Sequence, residues 1–148
     1  KGDYNLNCYQ AAHIWEVFMY PENERKIMAQ LQEKGIKSHV LCTSKTTLDK
    51  NAADFYRSIG VRVVLSPSLS SFDKEYTVGT YGELVVQMRY PKELMLALDT
   101  FFKRTKHLAK LDLKALDSII NRKIEIQLSV TRNLDMAKQI NHSILSQM

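Results

Sequence analysis

The chain has 148 residues, 45% of them apolar and 25% charged, with a net charge of +5. That length suits one domain with its own core, and an ordinary apolar fraction excludes a disordered or fibrous chain. Two cysteines, Cys8 and Cys42, are too few for a disulfide framework and point to a reducing, cytoplasmic compartment. The longest apolar stretch, "AAHIWEVFMYP", is broken by His13 and Glu16, so no membrane span and no signal peptide is expected. Basic residues are spread along the chain with no run of five, which describes a solvated surface better than a nucleic-acid stripe.

The elements follow in chain order. A strand is expected within "DYNLNCYQAAHIWEVFMY". Pro21 then opens a helix with acids in its first turn and an apolar stripe of Ile27, Met28 and Leu31, and Gly35 ends it. "IKSHVLCT" reads as a strand. Thr46 and Asp49 form a capping box for a helix carrying Leu48, Ala52, Phe55 and Ile59, stopped by Gly60. "VRVVLS" is the next strand, followed by the Ser-rich loop "SPSLSS".

"KEYTVGTYGELVVQMRYP" reads as a hairpin with a tight turn around Tyr81 and Gly82, running into a helix that Pro91 starts. That helix repeats Leu94, Leu98, Phe101, Thr105 and Leu108. Asp112 caps a shorter helix ending near Asn121. "KIEIQLSV" alternates, with Ile124, Ile126, Leu128 and Val130 on one face, and predicts a half-exposed or edge strand with that face buried. Asn133 caps a last helix with Leu134, Ala137, Ile140 and Ile144 inward. Strands alternating with helices predict an α/β fold with a mostly parallel sheet, helices on both faces and one β-hairpin.

In an open α/β sheet, ligands bind beyond the carboxyl ends of the strands. Three expected strands end in hydroxyl-rich loops: Thr43, Ser44 and Lys45; Ser66 and Ser68; and Thr131, Arg132 and Asn133. Two of these loops lead into helix N-termini, which favour anions. If the strands run parallel, the loops gather at one sheet edge and make a site for a small polar or anionic ligand. The same residue types also serve as ordinary helix caps. His39 and Cys42 stand three apart on a strand, so they face opposite sides and no metal site is expected. No P-loop, G-x-S-x-G or G-x-G-x-x-G occurs, so no cofactor and no catalytic residue is expected from motifs.

The succession of "GIKSHVLCT", helix, "GVRVVLSP", "EYTVGTYGELVVQMRYP" and a long helix resembles one half of a phospholipase D-like domain, over roughly residues 10–110. In that family the first hairpin strand carries His-x-Lys-x4-Asp, with the histidine as nucleophile. The matching positions here are Phe72, Lys74 and Gly79 in "FDKEYTVG", and only the lysine keeps its type. The resemblance therefore implies the fold and argues against phosphodiester chemistry. Degenerate domains of this kind form the effector half of archaeal TrmB-type transcription regulators, and "LDLKALDSIINRKIEIQLSVTRN" is similar to such effector regions.

The resemblance implies a single sensor domain, 1–148, that is a fragment of a longer protein. It also implies a homodimer, DNA contact only through a winged-helix domain outside this chain, and no membrane partner. The alternatives are a phosphodiesterase-type hydrolase with a displaced active site and a pure protein-interaction module.

Overall fold

The computed structural model describes residues 5–67, 76–122 and 126–148. Its elements run β1 (Leu6–Ala11), α1 (Glu16–Met19), α2 (Pro21–Glu33), β2 (Lys37–Cys42), α3 (Thr47–Ser58), β3 (Arg62–Leu65), β4 (Tyr76–Tyr81), β5 (Leu84–Arg89), α4 (Lys92–Arg104), α5 (Leu113–Ile120), β6 (Gln127–Arg132) and α6 (Leu134–Leu145), with a 3-10 turn at Leu108–Lys110. Ser68, Phe72, Lys74 and Ile124 lie outside the described residues.

Local chemistry sets the boundaries. Pro21 occupies the first turn of α2, where its missing N–H costs nothing. Thr46 and Asp49 cap α3 reciprocally: Asp49 N donates to Thr46 Oγ1 at 3.3 Å, and Thr46 N donates to Asp49 Oδ2 at 3.2 Å. Asp112 and Asn133 accept from Ala115 N and Met136 N at the starts of α5 and α6. Gly60 ends the segment after α3 with φ +89°, and a Cβ there would stand 2.4 Å from Gln32 Nε2. Gly82 (φ 59°) and Glu83 form the two-residue turn between β4 and β5. The fourth helix stops at Arg104, one residue before Thr105, and Leu108 is exposed rather than continuing its stripe.

The six strands form one open mixed sheet in the order β3-β2-β1-β4-β5-β6. β1, β2 and β3 are parallel neighbours. The other three pairings, β1 with β4, β4 with β5 and β5 with β6, are antiparallel. The expected α/β class and the hairpin are present, but three of the five strand pairings are antiparallel, so the sheet is mixed rather than mostly parallel. Hydrophobic period identifies a strand without identifying its neighbour, which is why strand direction escaped the sequence.

Helices cover both faces unequally. One face carries Cys8, Leu41, Val78 and Val85 and is packed by Ala137, Ile140 and Ile144 of α6. On that side Thr80 Oγ1 donates to Asn141 Oδ1 at 2.5 Å and accepts from Cys8 N at 3.1 Å, tying α6 to β4 and β1 where the β1–β4 ladder ends. The other face carries Val40, Cys42 and Val63 under α1 and α3. Beside it, α4 and α5 build a second cluster around Leu98, Phe101, Phe102 and Leu116.

β6 departs from expectation. It is the edge strand, as its alternation allows, yet its apolar face is not buried: Ile126, Leu128 and Val130 are 42%, 63% and 59% exposed.

Candidate functional site

The carboxyl ends of β1, β2 and β3 lie together, because Ala11 pairs with Cys42 and Cys42 with Leu65. Three segments leave the sheet at this edge. His13 follows β1, Thr43 to Thr46 follow β2, and Ser66 follows β3. α3 starts here, and α4 packs beside it.

His13 is buried between two acids. Its Nδ1 faces Asp49 Oδ1 and Oδ2 at 3.2 and 3.1 Å, and its Nε2 faces Asp99 Oδ1 at 2.5 Å. A carboxylate facing each nitrogen favours an N–H donor on both, and so favours the imidazolium form. Burial alone would lower the His13 pKa; its hydrogen bonds to Asp49 and Asp99, with their charges, outweigh this and raise it. For Asp49, burial would raise the carboxyl, but the His13 contact and the Thr46 hydrogen bond bring it below the usual range. The Phe102 ring lies 4.3 Å from the His13 ring, where an aromatic face favours a cation.

This arrangement joins the exit of β1, the first turn of α3 and the middle of α4. Both ring nitrogens are occupied and the His13 side chain is sealed from solvent, so His13 has no free nitrogen with which to take a proton from a substrate. Cys42 is also inert. Its Sγ lies 3.4 Å from both Ala12 O and Ser44 O, either of which can accept its one S–H proton, and burial together with the Asp49 charge raises its pKa and favours the thiol.

Above this buried group lies a cleft of about 260 Å³. Lys45, Thr46, Thr47 and Lys50 line it from the start of α3; Phe102, Lys103, Thr105 and Lys106 line it from the end of α4. No carboxylate is among its described lining residues. The dipole of α3, whose first turn begins at this cleft, adds to the positive field of the lysines. The cleft therefore suits an anion. Among the described residues, no group of three His, Cys, Asp or Glu side chains is placed to hold a metal ion, and no helix is long and apolar enough to cross a membrane.

The eight residues singled out from the sequence separate. Thr43, Ser44, Lys45 and Ser66 share the edge just described, and of these Lys45 lines the cleft. Thr43 is buried, with its N donating to Ala11 O at 2.9 Å, and Ser66 N donates to Cys42 O at 2.8 Å, so both extend the sheet. Thr131, Arg132 and Asn133 lie at the opposite end. β6 runs antiparallel to β5, which places Arg132 beside Leu84 and Gln127 beside Arg89. Arg132 pairs there with Glu83, and Asn133 caps α6. One pocket gathering all three loops is therefore not formed.

His13, Asp49, Asp99, Lys50, Lys103 and Lys106 were not legible as a site. The capping box marked Asp49, but nothing local links it to His13 or Asp99. The chain matches no family model, no curated protein and no solved structure.

Proposed function

We propose that this chain is a non-enzymatic ligand-sensing domain. It takes a small anion in the lysine cleft between α3 and α4, pairs with a second copy, and reports its bound state to the DNA-binding domain of a transcription regulator. One observation carries the reading: four lysines from two helix ends line one cleft, with no acid among its described lining residues. An anion there relieves the repulsion among the lysines and favours the arrangement in which α3 and α4 are drawn together. The shift is as large as the difference in affinity between the two arrangements.

The resemblance to a phospholipase D-like half supports the absence of turnover. Gly79, which stands on β4 where that family places an aspartate, has no side chain to offer. Calorimetric titration with inorganic phosphate, pyrophosphate and sugar phosphates, against the matching neutral sugars, tests the reading. Saturable binding that prefers the anions and weakens with added salt supports it. Equal binding of the neutral sugars, or no binding, ends it.

A second reading, a protein-interaction module, is favoured by the exposed apolar side chains of Ile126, Leu128 and Val130. Association of the domain without any anion binding would select it.

A further inference from the structure

The two edges of the sheet are built differently. β3 is four residues long, begins at Arg62, and its Val63 carbonyl accepts from Arg57 Nη2 at 2.8 Å. A short strand, a charge and an occupied carbonyl all discourage another strand from adding to an edge. β6 is six residues long and keeps unbroken register with β5. It carries neither charge nor proline from Gln127 to Thr131, and Arg132, at its end, pairs with Glu83. All of its residues are exposed, on both faces of the sheet.

The β5–β6 ladder shows which backbone groups of β6 face outward. Antiparallel pairs alternate between those that exchange hydrogen bonds and those that do not. Asn133 N donates to Glu83 O at 2.9 Å, so the exchanging pairs are Thr131 with Val85, Ser129 with Gln87 and Gln127 with Arg89. The N–H and C=O groups of Leu128, Val130 and Arg132 therefore point away from β5, along the open edge. The side chains of Leu128 and Val130 share a face with Met88 and Val86, while Gln127, Ser129 and Thr131 share the other.

We propose that β6 pairs antiparallel with β6 of a second copy about a two-fold axis at Ser129, joining the two sheets into one. The inference deepens the pairing in the reading above and rests on it. This axis pairs the whole uncharged run from Gln127 to Thr131 with itself. Leu128 meets the copy's Val130, Gln127 meets its Thr131, and Ser129 meets Ser129. Leu128 and Val130 exchange their outward hydrogen bonds across the axis, twice by symmetry. Their side chains form one apolar strip that continues onto Val86 and Met88 of each copy. No like charges stand opposite each other. A strand of another sequence gains the hydrogen bonds but not this matching of apolar to apolar and polar to polar.

Sedimentation velocity of the full chain at rising concentration, with mild oxidation of two cysteine variants, tests the inference. At the axis, Ser129→Cys brings two thiols together on Cα atoms about 4.5 Å apart, within disulfide reach. Thr131→Cys is exposed on the same face but stands four residues from its own copy, about 14 Å away. Cys8 and Cys42 are buried and do not compete. Ser129→Cys should form a covalent dimer at least about ten-fold faster than Thr131→Cys. Val130→Pro removes an outward N–H and leaves the ladder to β5 whole, so it should weaken the dimer about ten-fold or more with an unchanged circular dichroism spectrum and unchanged phosphate binding. If that variant does not fold, the cross-linking pair decides. A chain that stays monomeric throughout overturns both this inference and the pairing it rests on. A dimer that survives Val130→Pro, or that cross-links equally at 129 and 131, overturns this inference alone.

Discussion

His13 Nε2 stands 2.5 Å from Asp99 Oδ1, a contact between residues 86 apart in the chain. Together with Asp49 on the other ring nitrogen, it converts the meeting point of β1, α3 and α4 into a buried ionic joint. Removing one partner of such a joint strands the other charge. Asp49→Ala should therefore cost about 3–5 kcal/mol, because it loses both the imidazolium contact and the α3 cap. Asp99→Asn should cost less, about 1–3 kcal/mol, since Asp99 is 19% exposed and water softens the loss. Urea unfolding of the two variants gives the order, and a larger loss for Asp99→Asn would contradict it.

The same groups predict an unusual pH profile. The folded-state pKa of His13 is raised, so its contribution is complete below about 6.5, its unfolded value, and is lost as pH rises through the folded value. Asp49 is depressed, so its contribution is present above the unfolded value of 3.8 and is lost as pH falls through the folded one. Glu16 is raised from 4.5 to about 7, so the folded state holds its proton more tightly and stability falls as pH rises across that interval. Stability should thus decline between about pH 5 and pH 8. Glu16→Gln should flatten that decline, gaining on the order of 1–3 kcal/mol at pH 8 and nothing near pH 4. Chemical denaturation across the range checks both the slope and its loss.

Phosphate affinity should respond to position in the fold. Lys50→Ala and Lys103→Ala should each weaken phosphate binding by about three- to ten-fold, the effect of one partly solvated charge. Arg132→Ala should leave it unchanged, because Arg132 lies at the opposite end of the sheet, against Glu83. Equal losses from Lys103→Ala and Arg132→Ala would show that the anion binds elsewhere.

Charges on the exposed face of β6 should be tolerated. Leu128→Asp should change unfolding free energy by no more than about 1 kcal/mol, since the side chain is 63% exposed. Ile126→Asp, at 42% exposure, should cost about 1–2 kcal/mol rather than the larger penalty a buried face would imply. If that face mediates self-association, sedimentation velocity will show Leu128→Asp as the more monomeric protein.

What the sequence made legible was local. The Thr46–Asp49 capping box, the Asp112 and Asn133 caps, Pro21 and the hairpin could each be read within a few residues, and each is present. The direction of β6 could not be, because its alternation fits any edge of any sheet. That one unknown decided the site: with β6 antiparallel, Arg132 left the neighbourhood of Lys45. The apolar side of β6 was expected to be buried because alternation implies a core, yet Leu128 and Val130 stay exposed at the sheet edge. His13 shared the same limitation. A lone histidine after a strand carries no sign of the two acids that fold brings to it from α3 and α4.

The unequal helix cover has a consequence for how the protein is made. Every described strand precedes α6 in the chain, and α6 supplies the helix side chains that pack Cys8, Leu41, Val78 and Val85. During synthesis that side of the sheet stays bare until residues 134–145 have left the ribosome. Apolar side chains that α6 covers in the folded protein are without that cover until then, and exposed apolar surface of this kind favours chaperone capture or misassembly with a neighbouring nascent chain.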